Sequence, residues 1–201
     1  MLRRIRRSIA ALALAGAAAV ALAQADEPKD AATARALAQA RVSAAGVAGE
    51  IRGLLMAELQ KGGPAAAVAA CASGAQARTA EFRSRTGADV RRVSLRHRNA
   101  VNAPDAFERG ALESFDRLPT EARPKAEHWE VVTEDGRESL RYLRPLVANA
   151  MCLSCHGARE TLPVGVKAAL AKEYPDDRAT GFSAGDVRGA VSVRVPLVPP
   201  R

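Results

Sequence analysis

Cys152-Leu153-Ser154-Cys155-His156 constrains this chain more than any other stretch. Two thiols at that spacing, followed at once by a histidine, form the covalent attachment pattern of a c-type haem. Each thiol can add across one vinyl group of the porphyrin, and the adjacent imidazole then faces the iron from the proximal side. A chain built on this pattern has to leave room for a flat macrocycle. Two other uses of Cys-x-x-Cys fit less well. A thioredoxin-like redox pair requires a βαβ unit around it. A zinc site would need a second ligand pair from a chain with only three Cys and three His. The cofactor expected is one covalent haem c, held by Cys152 and Cys155 with His156 as an axial ligand.

Covalent haem attachment happens on the far side of a membrane, and the N-terminus agrees with export. Arg3, Arg4, Arg6 and Arg7 precede an apolar run from Ile9 to Leu22. Ala21-Leu22-Ala23 and Ala23-Gln24-Ala25 fit the small-x-small cleavage rule, so residues 1–25 read as a signal peptide cut near Ala23–Ala25. The apolar run falls short of the roughly 20 residues that span a bilayer. The expected location is periplasmic, with no stable membrane span in the mature chain. The four leader arginines supply half of the net charge of +8, which leaves a mature charge of +4 and no reason to expect a nucleic-acid partner.

Residues 26–201 are enough for one domain with its own core. Val47, Ile51, Leu54, Leu55 and Leu59 repeat with helical period. Gly62-Gly63-Pro64 stops that helix and starts a second, to about Ser84, with Val68, Cys71, Ala75 and Phe82 on one face. An antiparallel helical hairpin is expected. Val93, Leu95 and His97 then alternate with Arg92, Ser94, Arg96 and Arg98, which predicts a strand. Phe107 to Leu118 predicts an amphipathic helix, Asp135-Gly136 a β-hairpin turn, Pro163 to Tyr174 a short helix, and Gly189 to Leu197 a closing strand. The fold class is α+β, a small antiparallel sheet behind a helical hairpin.

The chain resembles the single-haem, PAS-like c-type haem domains long filed as a domain of unknown function, found alone or as periplasmic sensor modules. The resemblance runs over residues 63–197. It rests on Gly63-Pro64-x3-Val68-x2-Cys71, Arg92-Val93-Ser94-Leu95-Arg96-x-Arg98-Asn99, Asn102-x-Pro104-Asp105 with Glu108, Cys152-x-x-Cys155-His156-Gly157, and Tyr174-Pro175-x-Asp177-x-Ala179-x-Gly181-Phe182 followed by Gly185-Asp186-x-Arg188-Gly189-Ala190. It implies a PAS-like antiparallel sheet behind a long helical pair.

For the second axial ligand the residues offer Cys71, His97, His128, Met56 and Met151. Ligand chemistry alone puts the two histidines first. Cys71 is an odd thiol in an oxidising compartment, which is a small buried hydrophobe unless it has a chemical use. The resemblance implies that Cys71 is the ligand, because the matching cysteine has that role in the family. Arg91, Arg92, Arg96 and Arg98 read as the solvated face of a strand, with Arg92 or Arg98 as candidates for a bidentate contact to a haem propionate. Tyr174 and Phe182 are candidate walls of the haem pocket.

No catalytic triad, phosphate loop or paired acid motif is recognisable, and no enzyme activity is expected. A peroxidase would need an open distal site with acid–base groups nearby. Two functions remain: a haem-based redox or gas sensor with His/Cys-ligated iron, or a small periplasmic electron-transfer cytochrome. The partners implied are the cytochrome c maturation machinery, a redox or signalling protein, and a diatomic gas.

Overall fold

The computed structural model describes residues 28–197. The signal peptide expected at Met1–Ala25 lies outside them. Asp30 starts the first helix by accepting hydrogen bonds from the amides of Ala32 and Thr33 at 2.8 and 2.9 Å. This helix, α1 (Ala31–Thr86), breaks at Gly63. There φ is 70° and ψ −168°, a conformation essentially reserved for glycine, and Pro64 then opens a new helical segment without needing an amide partner. The two arms, 31–62 and 64–86, fold back on each other. Gly46 lies against Phe82 and Gly74 against Leu54, two pairs equally far from a pivot at residue 64. The expected hairpin is present.

Strands β1 (Asp89–Val93), β2 (His128–Glu134), β3 (Arg137–Val147) and β4 (Val187–Pro196) form one antiparallel sheet in the order β1-β4-β3-β2. Asp135 and Gly136 join β2 to β3 with φ of 51° and 71°, a tight hairpin turn. Alternation along β4 decides both faces of the sheet. Val191, Val193 and Val195 pack with Leu140 and Tyr142 against Leu37, Ala40, Ala44, Val47 and Phe82 of α1. Ala190, with Val93 and Leu143, packs on the opposite face against Ala111, Leu112 and Phe115 of α2 (Ala106–Arg117).

The strand expected through Arg98 ends at Val93. The apolar alternation continues to His97, but the amide of Ser94 donates to the Asn102 carbonyl at 3.0 Å instead of extending the ladder. The Ser94 hydroxyl donates to the Arg188 carbonyl at 2.8 Å. These bonds turn 94–99 away from the sheet and across its end. The Asn102/Pro104/Asp105/Glu108 motif is structural. Asp105 and Glu108 close a capping box on α2, and Arg141 from β3 reaches Asp105 at 2.5 Å.

Two short helices complete the chain: α3 (Leu153–His156) and α4 (Val164–Glu173). Val166 and Leu170 of α4 pack with Leu162 on Val68 in the second arm of α1. The converging ends of β1, β3 and β4, the inner side of the hairpin, and α3 enclose the site.

Candidate functional site

Asn149 sets up the Cys152–His156 segment. Its side chain accepts from the amides of Met151 and Cys152 at 3.0 and 3.3 Å, holding the turn that leads into α3. Cys152 and Cys155 are one helical turn apart, so both thiols lie on one side of the segment. The following strap, 177–182, is tied back to it. Gly181 and Phe182 donate to the carbonyls of Gly157 and His156 at 2.7 and 2.9 Å.

His156 is oriented by that strap. Its Nδ1 lies 2.7 Å from the Ala179 carbonyl, an oxygen that can only accept, so Nδ1 carries the proton and Nε2 keeps its lone pair. This is the tautomer that a metal-binding imidazole needs. Burial holds the imidazole's pKa well below its ordinary value, and the Arg188 guanidinium pushes it the same way. Arg188 Nε is 3.2 and 3.4 Å from the two ring nitrogens. Near-equal distances from both nitrogens place it over the ring face. Phe182 meets the same ring edge-on, with centroids 6.1 Å apart.

A cavity of about 520 Å³ opens beside the motif, within the range of small-molecule and cofactor sites. Its lining includes Cys71, Cys152, Cys155 and His156, with apolar walls from Ile51, Leu55, Leu59, Val68, Leu146 and Val191. All three cysteines are free thiols. Burial raises the pKa of Cys71, and Arg92 and Arg98 pull it back down. Cys155 is likewise raised by burial and lowered by Arg98. Neither thiol favours its anion without a further positive charge.

Arg92, Arg98 and Tyr174 also line the cavity, whereas Phe182 packs behind His156 outside the lining. Arg98 is bound within the protein. Its Nε and Nη2 contact the Asp177 carboxylate at 3.0 and 3.3 Å, and Nη2 donates to the Cys155 carbonyl at 2.6 Å. Arg92 is different: its Nε is buried with no partner among the described residues. Of the other ligand candidates, His97 and Met151 are in the lining. His97 Nδ1 is buried and unpartnered. His128 stacks on Phe107 at 5.3 Å and contacts Glu130, away from the cavity, and Met56 is 37% exposed outside it.

Asp177 and Arg188 stand in the motifs that carry the resemblance, but the sequence assigned neither a role: Asp177 anchors Arg98, and burial lowers the pKa of Arg188 to about 9.

The chemistry of this donor set suits a haem. Two thiols lie beside an imidazole whose Nε2 is available, on the wall of an apolar cavity that also holds a third thiol. Two buried polar atoms on the same wall, Arg92 Nε and His97 Nδ1, lack partners. Among the described residues no group of three or more His, Cys, Asp or Glu is arranged to hold a bare metal ion.

A family model described as Tll0287-like matches residues 14–196. The structure is similar to the crystal structure of the cyanobacterial heme-protein Tll0287. The two share 32% sequence identity and a TM-score of 0.51, over 65% of this chain and 74% of that one. No curated protein matches this chain.

Proposed function

This chain belongs to the Tll0287-like family, and from that premise we propose that it is an exported monohaem c-type cytochrome acting as a haem-based redox or gas sensor. The observation that carries the reading is the convergence of Cys71, Cys152, Cys155 and the oriented His156 on one cavity. The similarity to a cyanobacterial heme-protein supports the cofactor. Cys152 and Cys155 would hold the haem covalently, and His156 Nε2 and the Cys71 sulfur would be its axial ligands. The antiparallel sheet with a cavity under one end fits the PAS-like architecture implied by the motifs. Bound there, the haem supplies a one-electron Fe(III)/Fe(II) couple.

The protein's own part is to fix one ligand and leave the other replaceable. Ala179 and the Arg98–Asp177 pair hold His156 and the backbone around it. Among the described residues Cys71 has no comparable restraint, and as a half-buried thiolate it would need a positive charge to persist. His97 offers a second unpartnered donor on the same wall, an arrangement suited to ligand exchange. An electron carrier, the alternative, would gain nothing from a replaceable ligand. No helix among the described residues is long and apolar enough to cross a membrane.

The test is to express the chain with cytochrome c maturation machinery and extract it with acid–acetone. One haem per chain should stay with the protein, and Cys152→Ala with Cys155→Ala should release it. A haem that extracts from the parent, or that stays covalently held in the double variant, refutes the reading.

A further inference from the structure

Four arginines gather where the sheet end meets the attachment motif, and the chain neutralises two of them. Arg98 forms a two-pronged pair with Asp177. Arg96 is half-exposed, with Asp186 at 3.9 Å. Arg92 and Arg188 have no carboxylate within ion-pair distance among the described residues, yet both face the cavity. Arg52 and Arg144 also reach the cavity wall, but they are exposed and water can compensate them.

Burying a guanidinium without a counter-charge is unfavourable, so such a group in a ligand cavity marks where an anionic part of the ligand belongs. A haem carries two carboxylates on its propionate arms, and the cavity carries two half-buried guanidiniums with no carboxylate partner among the described residues. Building on the haem reading above, we propose that Arg92 and Arg188 receive the two propionates, and that Arg98 does not.

Arg188 is held ready for this. Its Nη1 donates to Ser94 Oγ at 3.1 Å, and that hydroxyl donates back to the Arg188 carbonyl at 2.8 Å, which closes a small ring around the side chain. Its Nη2 has no partner among the described residues. Arg92 presents a buried Nε in the same state. A guanidinium fork matches a carboxylate in two places at once, which a lysine cannot do. Both cations would also favour the ferrous state, since each attracts the electron added on reduction.

The test uses the haem-loaded protein and the variants Arg92→Gln, Arg188→Gln, Arg92→Lys and Arg188→Lys. Two quantities are read: the propionate bending modes in resonance Raman spectra, and the ferric-to-ferrous ratio at a fixed redox poise. Each Gln variant should shift the propionate modes. It should also raise the ferric-to-ferrous ratio at least tenfold, which for a one-electron couple is a fall of about 59 mV in potential. Each Lys variant should restore most of the ratio but not the modes, because it keeps the charge and loses the fork. If a Gln variant does not fold, its Lys counterpart still reports through the modes. A loaded parent whose variants match it in both readouts overturns this assignment alone. A parent without covalent haem overturns the haem reading, and the assignment with it.

Discussion

Removing the Asp177 carboxylate should weaken the whole fold as well as the site. Arg98 and Asp177 are joined by two contacts of 3.0 and 3.3 Å, and their side chains are only 10% and 2% exposed. Solvent therefore screens little of the interaction. Taking one partner from such a pair leaves a desolvated charge and costs about 3–5 kcal/mol. Asp177→Asn keeps an oxygen that can accept from the Ala179 amide, now bonded at 2.9 Å, and from Arg98 Nε, which returns about 1 kcal/mol. The expected loss is about 2–4 kcal/mol. Asp177→Ala, which returns nothing, should lie at or beyond the upper end. For a domain of this length, that corresponds to a fall of roughly 4–16 °C in melting temperature. Urea denaturation of the mature chain at neutral pH measures it. Arg98 also holds the Cys155 carbonyl, so haem attachment should fall in both variants. A loss below about 1 kcal/mol in both would refute the reasoning, because the pair would then behave like an exposed salt bridge.

Hydrogen bonds from Arg41, and secondarily from Tyr142, hold the Glu127 carboxyl below its ordinary 4.5 against the opposing effect of burial. A lowered folded-state value gives stability that is complete above the unfolded value and lost as pH falls through the folded one. The stability gap between parent and Glu127→Gln, followed by denaturation against pH, should thus be constant above about pH 5 and close on acidification. Gly63→Ala meets no atom within 4 Å but must adopt φ of 70°, so denaturation should show a cost of about 1–3 kcal/mol. Gly53→Ala, in open helix surface, should instead stabilise by up to about 1 kcal/mol in the same assay. If the protein is a sensor, the reduced, haem-loaded form should bind carbon monoxide or nitric oxide in optical titrations, and inertness to both would favour the electron carrier.

The parts of this protein that were legible in the sequence are those whose chemistry is local. Gly62-Gly63-Pro64 carries both the helix stop and the restart, so the hairpin could be read from three residues. The two thiols and the imidazole of Cys152-x-x-Cys155-His156 are contiguous, so their sharing one segment could be read directly, and Asp135-Gly136 is a turn by itself. Where contacts between distant residues decide the outcome, local pattern misleads. Val93, Leu95 and His97 alternate like a strand, but the bonds of Ser94 to Asn102 and Arg188 end it at Val93. His128 looked as suitable a ligand as His97 until Phe107 and Glu130 claimed it. The arginines were the hardest to read. Arg92 and Arg98 look alike in one short stretch, yet Asp177, far along the chain, neutralises only the second.

The most direct test of the account is the ferric electron paramagnetic resonance spectrum of the haem-loaded protein, taken with its reduction potential, for the parent, Cys71→Ala and Cys71→Ser. The parent should show low-spin ferric iron with thiolate opposite imidazole, since a second-arm thiol and the oriented His156 share one cavity. Both variants should keep the covalent haem, lose that signature and rise in potential, because an anionic sulfur stabilises the ferric ion. Spectra and potentials identical to the parent in both variants would contradict the account and make His97 the sixth ligand to test next.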